Sequence, residues 1–418
     1  MIYILKFSKK NTFFLFALSV YLNAFFCMMW KTYLNGILYL PLTLLSYASI
    51  AIFIFFALRE NHIVQVNDII IIIFMIAFYA QTCLLAYKNT KYFSVQLIAT
   101  IFSVIALCAL KQNERDYILK NIIVLFIVFS LPSIVYFLLT VIGIHLPHSI
   151  LFSPSIGKSS LGMYYLHFPL GLVINDTVHY QLQPCGMFDE PGVIGTYAGL
   201  LFSITAKNKA LKKSNIILFL IGFFSTSLAF YVILIIYGFV RLIQKGMIKF
   251  SVLLIVCVVA YLVFMKIDFN NPQITLIQSR LEITQHGLSG DNRTDPSFDY
   301  AFNEFVNDGG YPLVFGNGHG SVRENPMMSG YSWKNIVYEY GILGVSTLIL
   351  ILIMLYFRVC NTTDKKIAAL PFLTVFLASI YQRPYIFTPF YMTVFVCGIS
   401  NCLLDYKGSL LKYNDPSE

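Results

Sequence analysis

Asp189 and Glu190 stand side by side in GMFDEPGVIGTYAGLLF, residues 186–202, directly before a Pro-Gly break and an apolar run. Two carboxylates at such an edge have two uses. They can favour the positive end of a helix dipole, with Pro191 at the first helical position, where its missing N–H is no loss. Alternatively, Glu190 can serve as a general base or hold a substrate hydroxyl, fixed in place by the proline turn. Residue chemistry alone favours capping, which explains one acid better than it explains two.

A second group of reactive side chains lies between residues 266 and 334, in SRLEITQHGLSGDNRTDPSFDYAFNEF and GYPLVFGNGHGSVRENP. Arg280, Arg293 and Arg323 each offer a guanidinium fork that matches phosphate oxygens. Pairing with Glu282 or Glu324 is the plainer account of Arg280 and Arg323. Arg293 follows an SG turn that would present it from a loop. His286 and His319 could act as bases, although a loop histidine more often only hydrogen-bonds. The run GNGHG, 316–320, is too glycine-rich for a core and could cradle a phosphate on its backbone N–H groups. Tyr311, Tyr331 and Trp333 could stack on sugar faces or anchor a membrane interface. No metal is expected: His145, His148, His167 and His179 lack ligand-like spacing, and no Cys/His cluster or D-x-D pair occurs. Nucleophile elbows and Walker loops are also missing from the sequence.

The elements that must carry these groups are apolar. Of 418 residues, 58% are hydrophobic and only 12% charged, and the mean hydropathy is +0.72. A soluble domain carries roughly 25% charged residues. Apolar runs at about 12–29, 36–57, 69–87, 92–110, 121–144, 191–206, 215–240, 248–265, 335–357, 367–381 and 386–404 approach or exceed the length that crosses a hydrocarbon core. The expected fold is therefore an all-α polytopic integral membrane protein. The first run follows KFSKK, has no small-residue cleavage site after it, and reads as an uncleaved helix. Most of the eight cysteines lie within apolar runs, so no disulfide framework is implied.

Basic residues resist translocation, so KNKALKK (207–213) and RLIQKGMIK (241–249) should share the cytoplasmic side. The run 215–240 then has to cross twice, turning at the Ser225-Thr226-Ser227 tip. Two arms of about thirteen residues would each span about 20 Å. Such short arms suggest a polar cavity near mid-membrane, since broken elements need protein or water around them. Counted so, there are about twelve segments with both termini cytoplasmic. The expected division is residues 1–144, the outward insertion 145–190, residues 191–265, the outward insertion 266–334, and residues 335–418. The net charge of +9 then reflects cytoplasmic loops against an anionic membrane, and nucleic acid is not implied. Arg383, in QRP between the last two apolar runs, falls on an outward turn that the sequence does not place further.

Taken in order, several of these stretches resemble the O-antigen polymerase (Wzy-type) and O-antigen ligase superfamily of bacterial inner-membrane enzymes. GMFDEPG is similar to the F-x-E-P-G signature of Wzy-type polymerases. SGDNR followed by YPLVFGNGHG resembles the superfamily's last large outward loop, and NIVYEYGILGV (335–345) resembles the E-x-G-I-L-G start of the next helix. The match covers about 160 residues. Two features depart from the pattern: SWKNIVYEYG lacks the histidine expected before E-x-G, leaving Lys334 near that position, and residues 145–190 contain Lys158 but no arginine.

The resemblance implies a membrane glycosyltransferase that joins undecaprenyl-pyrophosphate-linked repeat units into a surface polysaccharide at the periplasmic face. It needs no cofactor, because the lipid pyrophosphate is already an activated leaving group. On this expectation Arg293 neutralises the leaving phosphate and Arg280 is a second candidate for that clamp. Glu190 deprotonates or orients the acceptor, with His319 as the alternative base. Asp189, Arg323, Trp333 and Lys334 would contact substrate. The implied partners are the lipid-linked glycan donor and acceptor, membrane lipids, a chain-length regulator and a flippase. A ligase acting on lipid A–core is the runner-up. A flippase or solute transporter ranks lower, because the spans are nearly free of ionisable groups.

Overall fold

The computed structural model describes residues 9–24, 39–60, 66–82, 91–152, 163–176, 181–208, 211–246, 258–259, 261–268, 275, 278–279, 282–284, 287–288, 296–324, 332–360, 362–384 and 386–402. Backbone groups that leave water must pair within their own segment, so apolar sequence folds as helix. The first five helices are α1 (Lys9–Leu22), α2 (Tyr39–Glu60), α3 (Val66–Ala80), α4 (Lys91–Ala109) and α5 (Gln112–Val141). A sheet then precedes α6 (Pro191–Thr205), α7 (Lys212–Phe224) and α8 (Leu228–Lys245). Three short helices, α9 (Pro296–Asp308), α10 (Gly310–Phe315) and α11 (Ser321–Glu324), lead to α12 (Trp333–Val359), α13 (Thr363–Ser379) and α14 (Pro389–Asn401). Among the described residues α5, α8 and α12 are long and apolar enough to cross a membrane, and shorter apolar helices accompany them. The chain has the character of a helical membrane protein.

One end of the bundle is braced by polar contacts. Lys9 pairs with Glu114 at 2.6 Å and Arg358 with Asp68 at 2.6 Å. The Arg115 Nε–H donates to Ser400 Oγ at 3.0 Å, and Gln244 Nε2 donates to the Ile367 carbonyl at 2.6 Å. These contacts explain why α5 begins at Gln112, nine residues before the apolar run suggests. Its polar first turns are held by neighbours at the bundle end.

Lipid tails are as apolar as the core, so close backbone approach has to supply the packing. Gly195 and Gly199 on α6 provide it. A Cβ on Gly199 would stand 2.8 Å from Ile233 Cγ2 of α8, and one on Gly195 would collide with the Ser227 side chain. The α7–α8 hairpin turns at Ser225-Thr226-Ser227, and Thr226 takes a positive φ of 51°. Its tip meets the β-sheet. Gln183 Nε2 donates to Thr226 Oγ1 at 2.8 Å, so the tip reaches the sheet above the bundle. The reason lies in the unequal arms: α8 has 18 residues, where thirteen were expected.

The bundle is helical, as expected, but the insertion 145–190 is not loop. It folds as an antiparallel meander, β1 (Ser149–Phe152), β2 (Tyr164–Phe168), β3 (Gly171–Asp176) and β4 (Gln181–Gly186), ordered as in the sequence. Its register places Leu166 opposite Val173, and both are buried with Phe168 against Tyr136 and Phe137 of α5. Ser133, one residue after Pro132 inside α5, accepts the Gly186 N–H at 2.9 Å. A two-stranded pair, β5 (Ile283–Thr284) and β6 (Gly287–Leu288), lies in the second insertion. There α9 buries Phe298, Phe302 and Phe305 with Val322 of α11, packed against Val337 and Tyr338 of α12.

Candidate functional site

Glu190 precedes a proline, which disfavours helical backbone and favours extended dihedrals. It accordingly sits at φ −147°, ψ 143°, as the N-cap of α6, with Pro191 in the first turn. It stands at the N-cap, where a carboxylate meets the positive end of the helix dipole, but its side chain makes no capping hydrogen bond. The carboxylate turns instead to the segment between α13 and α14. Arg383 donates from Nη2 to Glu190 Oε2 at 3.0 Å, across 193 residues of sequence.

The segment 380–388 is built to present that guanidinium. The Arg383 N–H continues the last turn of α13 by donating to the Ser379 carbonyl at 2.8 Å. Pro384 then stops helical continuation. Two tight turns follow, Ile386 N–H to Pro384 O and Thr388 N–H to Ile386 O, both 2.8 Å. Thr388 caps α14, and Pro389 occupies its first turn. The last helix thus starts three residues later than the apolar run. Ile386 and Phe387 are buried, and Phe387 and Tyr340 of α12 both pack edge-on against Phe78 of α3.

Arg383 is 3% exposed. Burial by itself pulls its pKa down, while the carboxylates of Glu190 and Asp189 pull it up and prevail, so the guanidinium stays charged. Asp189 is anchored through its backbone: the sheet residue Tyr165 donates its hydroxyl to the Asp189 carbonyl at 2.8 Å. Below the pair, the rings of Tyr197 and Tyr391 lie 5.3 Å apart. One cation, two carboxylates and two tyrosines therefore meet where the bundle joins the sheet. A charge pair taken out of water costs desolvation that its attraction seldom repays in stability alone.

The second cluster surrounds a break in α12. Gly341 has φ +66°, and its backbone lies against residues 314–316 so closely that a Cβ would collide there. The break exposes carbonyls that the glycine loop satisfies. The Asn317 N–H donates to Tyr338 O at 2.9 Å and the Gly318 N–H to Glu339 O at 3.0 Å. These two donors are spent on the helix, which argues against GNGHG as a phosphate nest. The loop instead delivers His319. Its Nδ1 lies 2.7 Å from the Tyr340 hydroxyl and 3.3 Å from Glu339 Oε2, and Glu339 is fully buried. The Gln81 amide donates to the Tyr340 carbonyl at 2.7 Å, tying the break to α3.

The expected site residues therefore separate. Asp189 and Glu190 come together with Arg383, and His319 belongs to the Glu339–Tyr340 cluster. Lys334 is committed to Asp299 at 2.7 Å and lies over the Phe302 ring, so it braces α9 against α12. Trp333 is 40% exposed and donates its backbone N–H to the Tyr381 carbonyl at 3.1 Å, which links the start of α12 to the Arg383 segment. Arg280 and Arg293 lie outside the described residues, as do His286, Tyr331 and Lys158. Arg323 falls in α11, and its side chain is outside the description. Among the described residues no group of three His, Cys, Asp or Glu could hold a metal ion.

Sequence reasoning assigned no role to Arg383 or to Glu339. Each carried a signal: a charged residue enclosed by apolar runs is seldom idle in a membrane protein. No protein-family model matches the chain, and a search of curated proteins finds no match.

Proposed function

We propose that the chain is a membrane glycosyltransferase that polymerises undecaprenyl-pyrophosphate-linked oligosaccharide repeats at the periplasmic face of a bacterial inner membrane. In this reading about twelve segments cross the membrane, both termini are cytoplasmic, and the sheet and the 266–334 insertion face the periplasm. The pairing of buried Arg383 with half-buried Glu190 at the bundle–sheet junction carries the reading. An oppositely charged pair held at that level suits a substrate with its tail in the bilayer, an anionic linkage at the interface and sugars above.

The acceptor hydroxyl oxygen forms a bond to the anomeric carbon of the donor. The bond from that carbon to the pyrophosphate oxygen breaks, and its electrons stay with the leaving lipid pyrophosphate. The hydroxyl proton passes to a carboxylate and then to water. Arg383 can serve Glu190 or the pyrophosphate as principal partner, so donor binding draws the guanidinium to phosphate and releases Glu190 as the base. Arg293, on the outward insertion, would add a second cation over the leaving group. Preorganised charge of this kind is typically worth on the order of 100-fold or more in rate.

A surface-glycan gel from the native host tests this. Deletion of the gene should leave core carrying a single repeat, and the wild-type gene should restore the ladder. Arg383→Ala, Glu190→Gln and Arg293→Ala should each fail to restore it at normal protein level. Bare core with accumulating lipid-linked polymer would indicate a ligase instead. An unchanged glycan profile would reject the proposal.

A further inference from the structure

One short helix outside the bundle has no polar side. α10 reads GYPLVF, with only the Tyr311 hydroxyl to offer water. Leu313 packs against the cluster of Phe298, Phe302 and Phe305. Tyr311 and Val314, three residues apart and so on one face, are 56% and 43% exposed. The Phe315 ring lies 4.5 Å from that of Tyr311. A helix that is apolar all round belongs inside a protein or against lipid. This one is not inside.

Its position favours lipid. The end of α10 docks on the break in α12: a Cβ on Gly341 would collide with the Val314 carbonyl, and the Gly318 N–H donates to Glu339 O at 3.0 Å. From that break onward α12 carries an exposed apolar stripe of Ile342, Leu343, Ile349, Leu350 and Phe357. The stripe ends at Arg358, which is paired with Asp68. From Gly341 to Arg358 the helix runs about 26 Å at 1.5 Å per residue. A hydrocarbon core is about 30 Å thick. With the charged pair at one boundary, the break stands at or just inside the other, and α10 is fastened to it there. The exposed face of α10 therefore continues the lipid-facing stripe of α12.

The charges nearby fit contact with the apolar part of the interface. Between Pro296 and Gly320 the chain carries Asp299, Glu304 and Asp308 and neither lysine nor arginine. Nothing in this stretch attracts anionic headgroups, so apolar contact has to hold the helix. A tyrosine with its ring in the acyl boundary and its hydroxyl among the headgroups suits that role.

We propose that α10 lies in the bilayer interface, with Tyr311 and Val314 among the headgroups and first acyl carbons, and that it holds α9 and the glycine loop at that height. The partner is the lipid surface itself. The proposal needs only that α12 crosses the membrane, so it stands apart from the glycan chemistry proposed above. As a consequence Glu339 and His319, held at the same break, lie at the level of the membrane boundary.

The test uses the full chain in phosphatidylcholine nanodiscs. Trp30→Phe and Trp333→Phe remove the two tryptophans, and Tyr311→Trp, Val314→Trp, Glu304→Trp or Leu350→Trp adds one back. Tyr311→Trp and Val314→Trp should emit to the blue of Glu304→Trp. They should lose most of their emission to lipids brominated high on the acyl chain and less to lipids brominated near its end. Leu350→Trp, within the stripe, should show the reverse order. Glu304→Trp, at an exposed position of α9, should respond to aqueous iodide alone. Adding phosphatidylglycerol should not strengthen any lipid response.

Iodide quenching of Tyr311→Trp and Val314→Trp with no response to brominated lipid would overturn the proposal and place α10 in water. Silence to both quenchers would overturn it in favour of a protein surface over α10. A lipid response that requires phosphatidylglycerol would also overturn it. Should the tryptophan variants fail to fold, hydroxyl-radical labelling of the unaltered chain in the same nanodiscs decides. Tyr300, 66% exposed on α9, should be oxidised and Tyr311 spared, whereas equal oxidation would reject the seat. A seated α10 in a chain whose deletion leaves glycans unchanged would remove the polymerase and keep the seat. A polymerase with α10 in water would remove the seat alone.

Discussion

Glu190→Gln keeps the shape of the side chain and removes its charge, which leaves Arg383 without the carboxylate 3.0 Å away. The Arg383 side chain is 2% exposed, so water cannot take that place, whereas Glu190 is 22% exposed. Removing one partner of a buried pair costs about 3–5 kcal/mol. The partial exposure of Glu190 and the neighbouring Asp189 charge place this change near the lower bound, about 3 kcal/mol. Arg383→Met removes the cation and leaves a carboxylate that water can reach, so it should cost less, about 1–2 kcal/mol. The double variant contains neither charge and should stand close to Arg383→Met, giving a coupling of about 3 kcal/mol, the cost of Glu190→Gln alone. A denaturant titration of the four purified proteins in one detergent, followed by circular dichroism, measures the cycle. Single costs that add within about 0.5 kcal/mol would refute the reasoning, since the pair would then carry no interaction energy. A larger cost for Arg383→Met than for Glu190→Gln would refute the burial argument in particular.

Three further outcomes follow from the packing and the charges. Gly341→Ala should give little folded protein in size-exclusion chromatography, because the position combines φ +66° with a backbone contact at 314–316. Ile342→Ala, at a 53% exposed neighbour, should stay within about 0.5 kcal/mol of wild type. Gly199→Leu should destabilise by about 1–3 kcal/mol through overpacking, and adding Ile233→Ala should recover part of that loss in the same titration. Burial holds the His167 pKa below its usual 6.5. The unfolded chain then binds that proton more readily, so stability is present above about 6.5 and is lost as pH falls through the folded value. Amide exchange at Leu166 and Val173, corrected for intrinsic rates, should quicken on acidification and stop doing so in His167→Gln.

Much of the scaffold was readable from composition and charge. Two basic stretches flanking a single apolar run led to the expectation that 215–240 turns back on itself, and the structure has its turn at Ser225-Thr226-Ser227. The start of α6 at Pro191 was equally legible, because Pro fixes φ and suits a first turn. The sheet was missed. YYLHF of β2 buries Tyr165, Leu166 and Phe168, which is not a period-two pattern, and Pro-Cys-Gly at the end of β4 reads as a turn. The break in α12 was also missed, since Gly341 within an apolar run looks the same whether the helix bends or not.

The number and length of apolar segments, and the helix start behind the paired acids, belong to the sequence. They depend on local forces: transfer of side chains out of water, proline geometry and the resistance of lysine and arginine to translocation. Which charges meet is a different matter. Arg383 reaches Glu190 across 193 positions, and Lys334 is drawn away to Asp299 by the docking of α9. His319 is delivered to Glu339 because carbonyls freed at Gly341 bind the glycine loop. Each pairing depends on how whole elements pack, and the energy of a buried charge depends on everything around it. Only the tertiary structure could therefore choose, among the many ionisable residues outside the apolar runs, the two that stand together at the head of the bundle.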